Sequence, residues 1–152
     1  MAHDRTGTGR FVWIKTVGTA DDQLETQWLV GRGYLLESVW FPKYPRSIRR
    51  GDLLVYYAAG RGVFPAVVEV RTGEVDQAGD HPRYPKRWPW RMAVRPKAVL
   101  PDLGDAPTLS EVGLNPLRLR RQSHIHLKDD EWERFRDLFL PPADAGEGRA
   151  AA

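Results

Sequence analysis

The chain contains no cysteine among its 152 residues. That removes disulfides, thiolate zinc sites and thiol nucleophiles together, and it is compatible with a reducing compartment. Long apolar runs are also missing. The longest stretch without Asp, Glu, Lys or Arg is eight residues, 53–60, far below the roughly 20 that a membrane-spanning helix needs. The opening MAHDRTGTGR has no apolar segment behind its charges, so a secretory signal is not expected there and the cytoplasm is the expected location. There is no H-E-x-x-H pair, and GTGRF and GRGY have too few glycines and no Lys-Ser/Thr to cradle a phosphate, so both read as turns. These absences exclude much enzymology.

What is present suits one soluble domain with a sizeable core: 41% hydrophobic and 28% charged residues, with six tryptophans. The formal net charge is only +3, but the basic residues are segregated. Residues 43–50, 81–101 and 115–128 contain no acid and hold 14 of the 23 Lys and Arg. If these stretches converge in space they form a footprint for a polyanion. The competing explanation is that acids simply prefer helix starts, as at Asp21, Asp22 and Glu25 or in residues 129–133.

Periodicity divides the chain. Residues 1–9 and 141–152 are polar or small and read as flexible tails around a domain at 10–140. FVWIKT reads as a strand with Val12, Ile14 and Thr16 on one face and Phe11, Trp13 and Lys15 on the other. ADDQLETQWLV predicts a helix capped by Asp21 or Asp22. Residues 31–45 read mostly as loop, with Leu35, Leu36, Val39 and Trp40 tucked inward. The strongest sheet signal is residues 53–70, two apolar runs around Gly60-Arg61-Gly62, which predicts a hairpin. Residues 90–95, 97–100 and 120–127 supply further strand, and DDEWERFRDLFL closes with a helix whose Asp130 and Glu133 have capping-box spacing and whose Trp132, Phe135 and Phe139 form an apolar stripe. The expected fold is α+β: a small mixed, mostly antiparallel β-barrel of five to six strands flanked by helices.

The order RFVWIKT, IRRGDLLVYYA, VFPAVVEV, YPKRWPWRMAVRP and SHIHLKDDEWERF resembles the EVE domain of the PUA-like superfamily, which also includes the YTH and ASCH domains. The resemblance covers about residues 10–140 and rests on the joint order of five segments. It implies a non-catalytic reader of modified nucleobases in DNA or RNA, a modified cytosine or adenine flipped into an aromatic pocket while a basic rim holds the phosphates. By the same resemblance, Lys15, Thr16 and Val17 match the strand end that lines the pocket, Trp40 matches an aromatic after the first helical segment, and Trp88 or Trp90 matches the cage aromatic.

The residues themselves bear on these assignments. Bases stack on Trp and Tyr faces. Trp88 and Trp90 are two apart across Pro89, so an extended chain points both the same way, between Arg87 and Arg91. Either could equally cap the core. Trp13, Trp28 and Trp132 sit in periodic elements and are expected to be core. Tyr56 and Tyr57 must face opposite sides of a strand; Tyr57 is the candidate for the pocket, although parity does not choose between them. Arg49, Arg50, Arg87 and Arg91 are the candidate phosphate contacts. His124 and His126 share a strand face but two ligands do not make a metal site, and a third, His81 or Asp80, would have to come from elsewhere in the fold; Ser123 diverges from His124. No metal and no cofactor are expected. A monomer is expected. Two other readings stay open: a small nuclease or base-processing hydrolase using His124, His126 or Asp52, and a sensor of a free nucleobase-like ligand.

Overall fold

β-branched and aromatic residues in strict alternation make the first strand, β1 (Val12–Val17), and the alternation decides which side chains meet which core. In a computed structural model of the chain, which describes residues 10–119 and 124–139, β1 is followed by a short helix α1 (Leu29–Arg32), a 3-10 turn (Gly33–Leu36) and β2 (Ser38–Phe41). Then come β3 (Leu53–Ala58), β4 (Val63–Val70), β5 (Trp90–Val99), α2 (Leu109–Val112), β6 (His124–Leu127) and α3 (Asp129–Phe139). The tails at 1–9 and 141–152, and residues 120–123 of the expected last strand with Ser123, lie outside the described residues.

The six strands form one mixed sheet in the order β2-β5-β4-β3-β1-β6. β1 runs parallel to β3, with Lys15 beside Tyr56, and every other pairing is antiparallel. The α+β class and the mostly antiparallel sheet are as expected, but the barrel is not closed. The sheet curls into a half-barrel whose edges, β2 and β6, do not pair with each other. Shifts of register near Tyr56–Ala58 and at Val67–Val68 help bend it.

Each face has its own core. Trp13, Leu24, Trp28, Val39, Phe41, Leu54 and Tyr56 pack together in one core. Val12, Ile14, Leu53, Val55, Phe64 and Val67 face α3, which contributes Phe135. The expected cores for Trp13 and Trp28 are present, and Trp132 is half-buried against the second core. α3 begins two residues earlier than the spacing predicts: Lys128 N–H donates to Glu131 Oε1 at 3.0 Å, so Glu131 rather than Glu133 closes the cap.

Two expected elements differ. The helix over ADDQLETQWLV is absent; only Leu29–Arg32 is helical. Thr19 and Asp22 instead exchange backbone hydrogen bonds at 3.2 Å, with Thr19 Oγ1 accepting from Asp22 N–H at 2.9 Å, and this tight turn uses the donors that a helix would need. Leu24 and Trp28 are nevertheless fully buried. The stretch at 31–45 contains a strand, β2, because Val39 and Phe41 can bury completely while β5 supplies the ladder.

Candidate functional site

At the C-terminal end of β1 the curled sheet leaves a recess. Lys15, Thr16, Val17 and Gly18 form its floor, Arg32, Tyr34 and Leu35 come from α1 and the turn after it, Val39 and Trp40 from β2, and His81 and Trp88 from the loop before β5. Gly18 turns the chain out of β1 at φ +72°, and a Cβ there would lie 2.9 Å from Leu24 Cδ1, so the floor needs glycine. Tyr56, buried on β3, donates its hydroxyl to Leu35 O at 2.6 Å and so fixes one wall; burial raises its phenol pKa.

The aromatic rings converge on one histidine. His81 lies 5.1 Å from Trp40, 4.8 Å from Trp88 and 6.0 Å from Tyr34, centroid to centroid, and Tyr34 meets Trp40 edge-on at 5.6 Å. Trp40 is anchored by donating Nε1–H to Asp80 at 2.9 Å. His81 Nδ1 accepts two backbone N–H groups, from Arg83 at 3.0 Å and Tyr84 at 2.9 Å. Its Nδ1 lone pair is therefore in use and its proton sits on Nε2. Burial first, then the charges of Lys15, Arg32 and Arg83, hold its pKa down to about 4, so the ring is neutral at pH 7.

Two cations share the recess. Lys15 is 4% exposed, its ammonium donating to Thr16 O at 2.8 Å and lying 5.0 Å from the Phe41 ring centre. No carboxylate among the described residues pairs with it, and burial pulls its pKa down to about 7. Arg32 is 2% exposed. Its Nη2 donates to Asp22 Oδ1 at 2.9 Å and to the carbonyls of Asp22 and Gln23, but its buried Nε–H has no hydrogen-bond partner; Glu25 Oε1 is 3.8 Å away.

The recess encloses only about 20 Å³, room for about one water molecule. Beside it opens a wider hollow of about 350 Å³, lined by Lys15, Thr16, Gly18, Pro42, Arg87 and Trp88 among others. Half-buried Trp88 lines both, as do Lys15, Thr16 and Gly18.

Of the residues singled out in the sequence, Lys15, Thr16, Val17, Trp40 and Trp88 meet in this recess. Tyr57 does not: it points to the other side of the sheet, against Phe64 at 5.1 Å, and Tyr56 faces the recess side instead. Trp90 also lies elsewhere, packed on Tyr44 at 5.1 Å. The two-residue rule fails for this pair because Trp88 sits in a turn, its N–H donating to Tyr84 O at 3.1 Å, and the strand starts only at Trp90.

The arginines divide similarly. Arg87 lies over Trp88 at 5.1 Å and lines the outer hollow. Arg91 is engaged by Asp80 and, at 3.4 Å, by Asp76. Arg49 and Arg50 flank the start of β3, where Arg50 lines a separate hollow with Glu69, Arg71 and Arg95. Arg32 and Tyr34 are not indicated by the sequence, and His81 is indicated there only as a possible third metal ligand; the one trace of Arg32's role is the acid cluster Asp21, Asp22 and Glu25 preceding it.

Asp52 is fully buried and structural, its carboxylate accepting from Phe11 N, Trp13 Nε1 and Arg49 N, each at 3.0 Å. His124 and His126 pack on Trp13 at 5.6 and 5.1 Å. Among the described residues, no three His, Asp or Glu side chains are grouped as metal ligands, and no helix is long and apolar enough to cross a membrane.

The fold has counterparts of known structure. An Agrobacterium tumefaciens protein superposes with a TM-score of 0.56 at 18% identity, over 86% of this chain and 94% of its own. A hypothetical protein of Leishmania major gives 0.52 at 15% identity over 82% and 91%, and a Pseudomonas putida protein gives 0.52 at 13% over 84% and 98%. At these identities the likeness concerns the fold alone. No protein-family model matches the chain, and no curated protein matches it.

Proposed function

We propose that the chain is a binding module that reads a flat, modified nucleobase of DNA or RNA in the recess at the end of β1, as an EVE-type, PUA-like domain would. The observation that carries this reading is the convergence of Trp40, Trp88, Tyr34 and His81 on one recess floored by Lys15, Thr16 and Val17. A ring entering this space exchanges water for aromatic faces, and an added methyl group fills apolar volume. Because the enclosed part holds about one water, Trp88 must swing toward the outer hollow to admit a base. The phosphates would meet Arg87 at the mouth and the exposed Lys43 beside Pro42, neither of which has an ion-pair partner among the described residues. On the reading above the module works in the cytoplasm as a monomer.

A second reading, a sensor of a free nucleobase-like ligand, is favoured by one observation: Arg91 is neutralised by acids and Arg49 and Arg50 lie away from the mouth. Salt separates the two. Binding to an oligonucleotide weakens steeply with salt as counterions are released, whereas binding of a neutral base does not. Titration of an oligonucleotide carrying one modified base, its unmodified control and the free base, at two salt concentrations, tests both.

A further inference from the structure

The recess has an asymmetry that stacking does not explain. Its polar side chains are arranged to give hydrogen bonds. His81 is locked by two backbone N–H donors into the tautomer that carries its proton on Nε2, and Nε2 makes no hydrogen bond among the described residues. Arg32 presents a buried Nε–H without a hydrogen-bond partner, the Glu25 carboxylate lying 3.8 Å away, while its Nη2 is held by Asp22 and Gln23. Lys15 spends one of its ammonium hydrogens on Thr16 O and has no carboxylate partner among the described residues. No Asp or Glu is among the residues that line the recess.

A buried donor without an acceptor costs free energy comparable to a lost hydrogen bond, more when it is charged. The Arg32 Nε–H is such a donor, and together with the Nε2–H of His81 and the remaining ammonium hydrogens of Lys15 around the same cavity it favours a ligand that supplies oxygens or ring nitrogens. These donors also discourage an exocyclic amino group, whose hydrogens would face other donors. A cationic ligand is disfavoured for the same reason, despite the aromatic walls, because Lys15 and Arg32 are already there. The depressed pKa of Lys15, about 7 from burial, is what an ammonium without a counter-charge shows, and an acceptor beside it would relieve that strain.

We propose that Lys15, Arg32 and His81 form a donor triad that selects a planar heterocycle presenting carbonyl oxygens, an oxo-pyrimidine or oxo-purine edge, over its amino-bearing counterpart. The proposal rests on the base-reading function and narrows it, turning the expectation away from modified cytosine or adenine and toward uracil-, thymine- or hypoxanthine-like rings.

Matched probes in which an oxo group replaces an amino group, the adjacent ring nitrogen gaining a hydrogen, test it: single-stranded oligonucleotides with one central 5-methylcytosine or thymine, and one central adenine or hypoxanthine, alongside the corresponding free nucleosides. The oxo member of each pair is expected to bind at least about tenfold more tightly, the scale of one well-made hydrogen bond to a charged donor. Lys15→Met, which keeps the length of the side chain and removes a buried charge, should fold normally and shrink the preference severalfold, the oxo member losing more affinity than the amino member. In a ¹⁵N spectrum, the Arg32 Nε–H and His81 Nε2–H signals should both shift on binding the oxo probe. Equal or tighter binding of the amino members would overturn the triad and leave base reading standing. Binding of nucleosides with the oxo preference but of no oligonucleotide would retain the triad and overturn nucleic-acid reading. Binding of no probe in either arm would overturn both.

Discussion

Replacing Asp52 by Ala removes one carboxylate and strands three donors. The Trp13 indole N–H is buried, and the amides of Phe11 and Arg49 are partly buried, all bonded at 3.0 Å. Each donor left without a partner costs about 1–3 kcal/mol, the upper end applying to the buried indole and the lower end to the two amides that water can reach. The sum is about 3–5 kcal/mol. That is a large share of the roughly 5–15 kcal/mol that holds a domain together, because these bonds pin the start of β1 to the start of β3 and so set the parallel pairing on which the recess stands. Asp52→Asn keeps one acceptor and should lose about half as much. Urea unfolding followed by tryptophan fluorescence reads the change as a shift in midpoint at constant slope. A loss under about 1 kcal/mol for Asp52→Ala would refute the structural role, and a well-folded Asp52→Asn protein that had lost a nucleic-acid-cleaving activity would move Asp52 into catalysis.

Trp88→Ala should weaken base binding by about 1–3 kcal/mol with little change in unfolding midpoint, whereas Trp90→Ala should leave binding intact; calorimetric titration of both variants checks this. Trp40→Ala should instead destabilise by about 3–5 kcal/mol, because Trp40 is 7% exposed and anchored to Asp80. Neutralising Arg87 and Lys43 should flatten the salt dependence of oligonucleotide binding, and neutralising Arg49 and Arg50 should not. Stability should fall on acidification. His81 and His124 are held at about 4 by burial and nearby Lys15, so from pH 6.5 down to 4 the unfolded chain binds more protons than the folded one, and this contribution, complete above pH 6.5, is lost across that window. Lys15, lowered to about 7, acts in the same sense at higher pH, stability rising between pH 7 and 10.5. Unfolding midpoints measured from pH 4 to 9 should rise throughout, and a flat profile would contradict the burial of these groups.

The parts of this fold that were legible in the sequence are those fixed by local pattern. The β3–β4 hairpin announces itself by two apolar runs around Gly60 and Gly62, and the two faces of β1 follow from alternation. The helix expected over ADDQLETQWLV was a tertiary override: Leu24 and Trp28 have helical spacing, but Thr19, Asp22 and Arg32 tie the chain into a turn that buries the same residues by another route. β2 escaped because four residues before Pro42 are too few to establish a period, and its ladder partner lies some 50 residues away on β5. In the recess, Lys15, Thr16, Val17, Trp40 and Trp88 are indicated by resemblance, whereas the roles of His81 and Arg32 there are not, since their chemistry depends on partners that only the folded chain supplies: two amides on the histidine and a carboxylate with two carbonyls on the arginine. Tyr57 and Trp90 were misplaced for opposite reasons, one by a parity that sequence cannot resolve and the other by an extended geometry that begins only at Trp90.

The most direct test of the recess as a base-reading site is calorimetric titration of the intact protein and of Trp88→Ala with one oligonucleotide in which only the central base varies, at low and high salt. Base reading in the recess predicts at least about a tenfold preference for one base over the others that persists at high salt and collapses in Trp88→Ala. Binding that is indifferent to the central base, vanishes with salt and is unchanged by Trp88→Ala would contradict it.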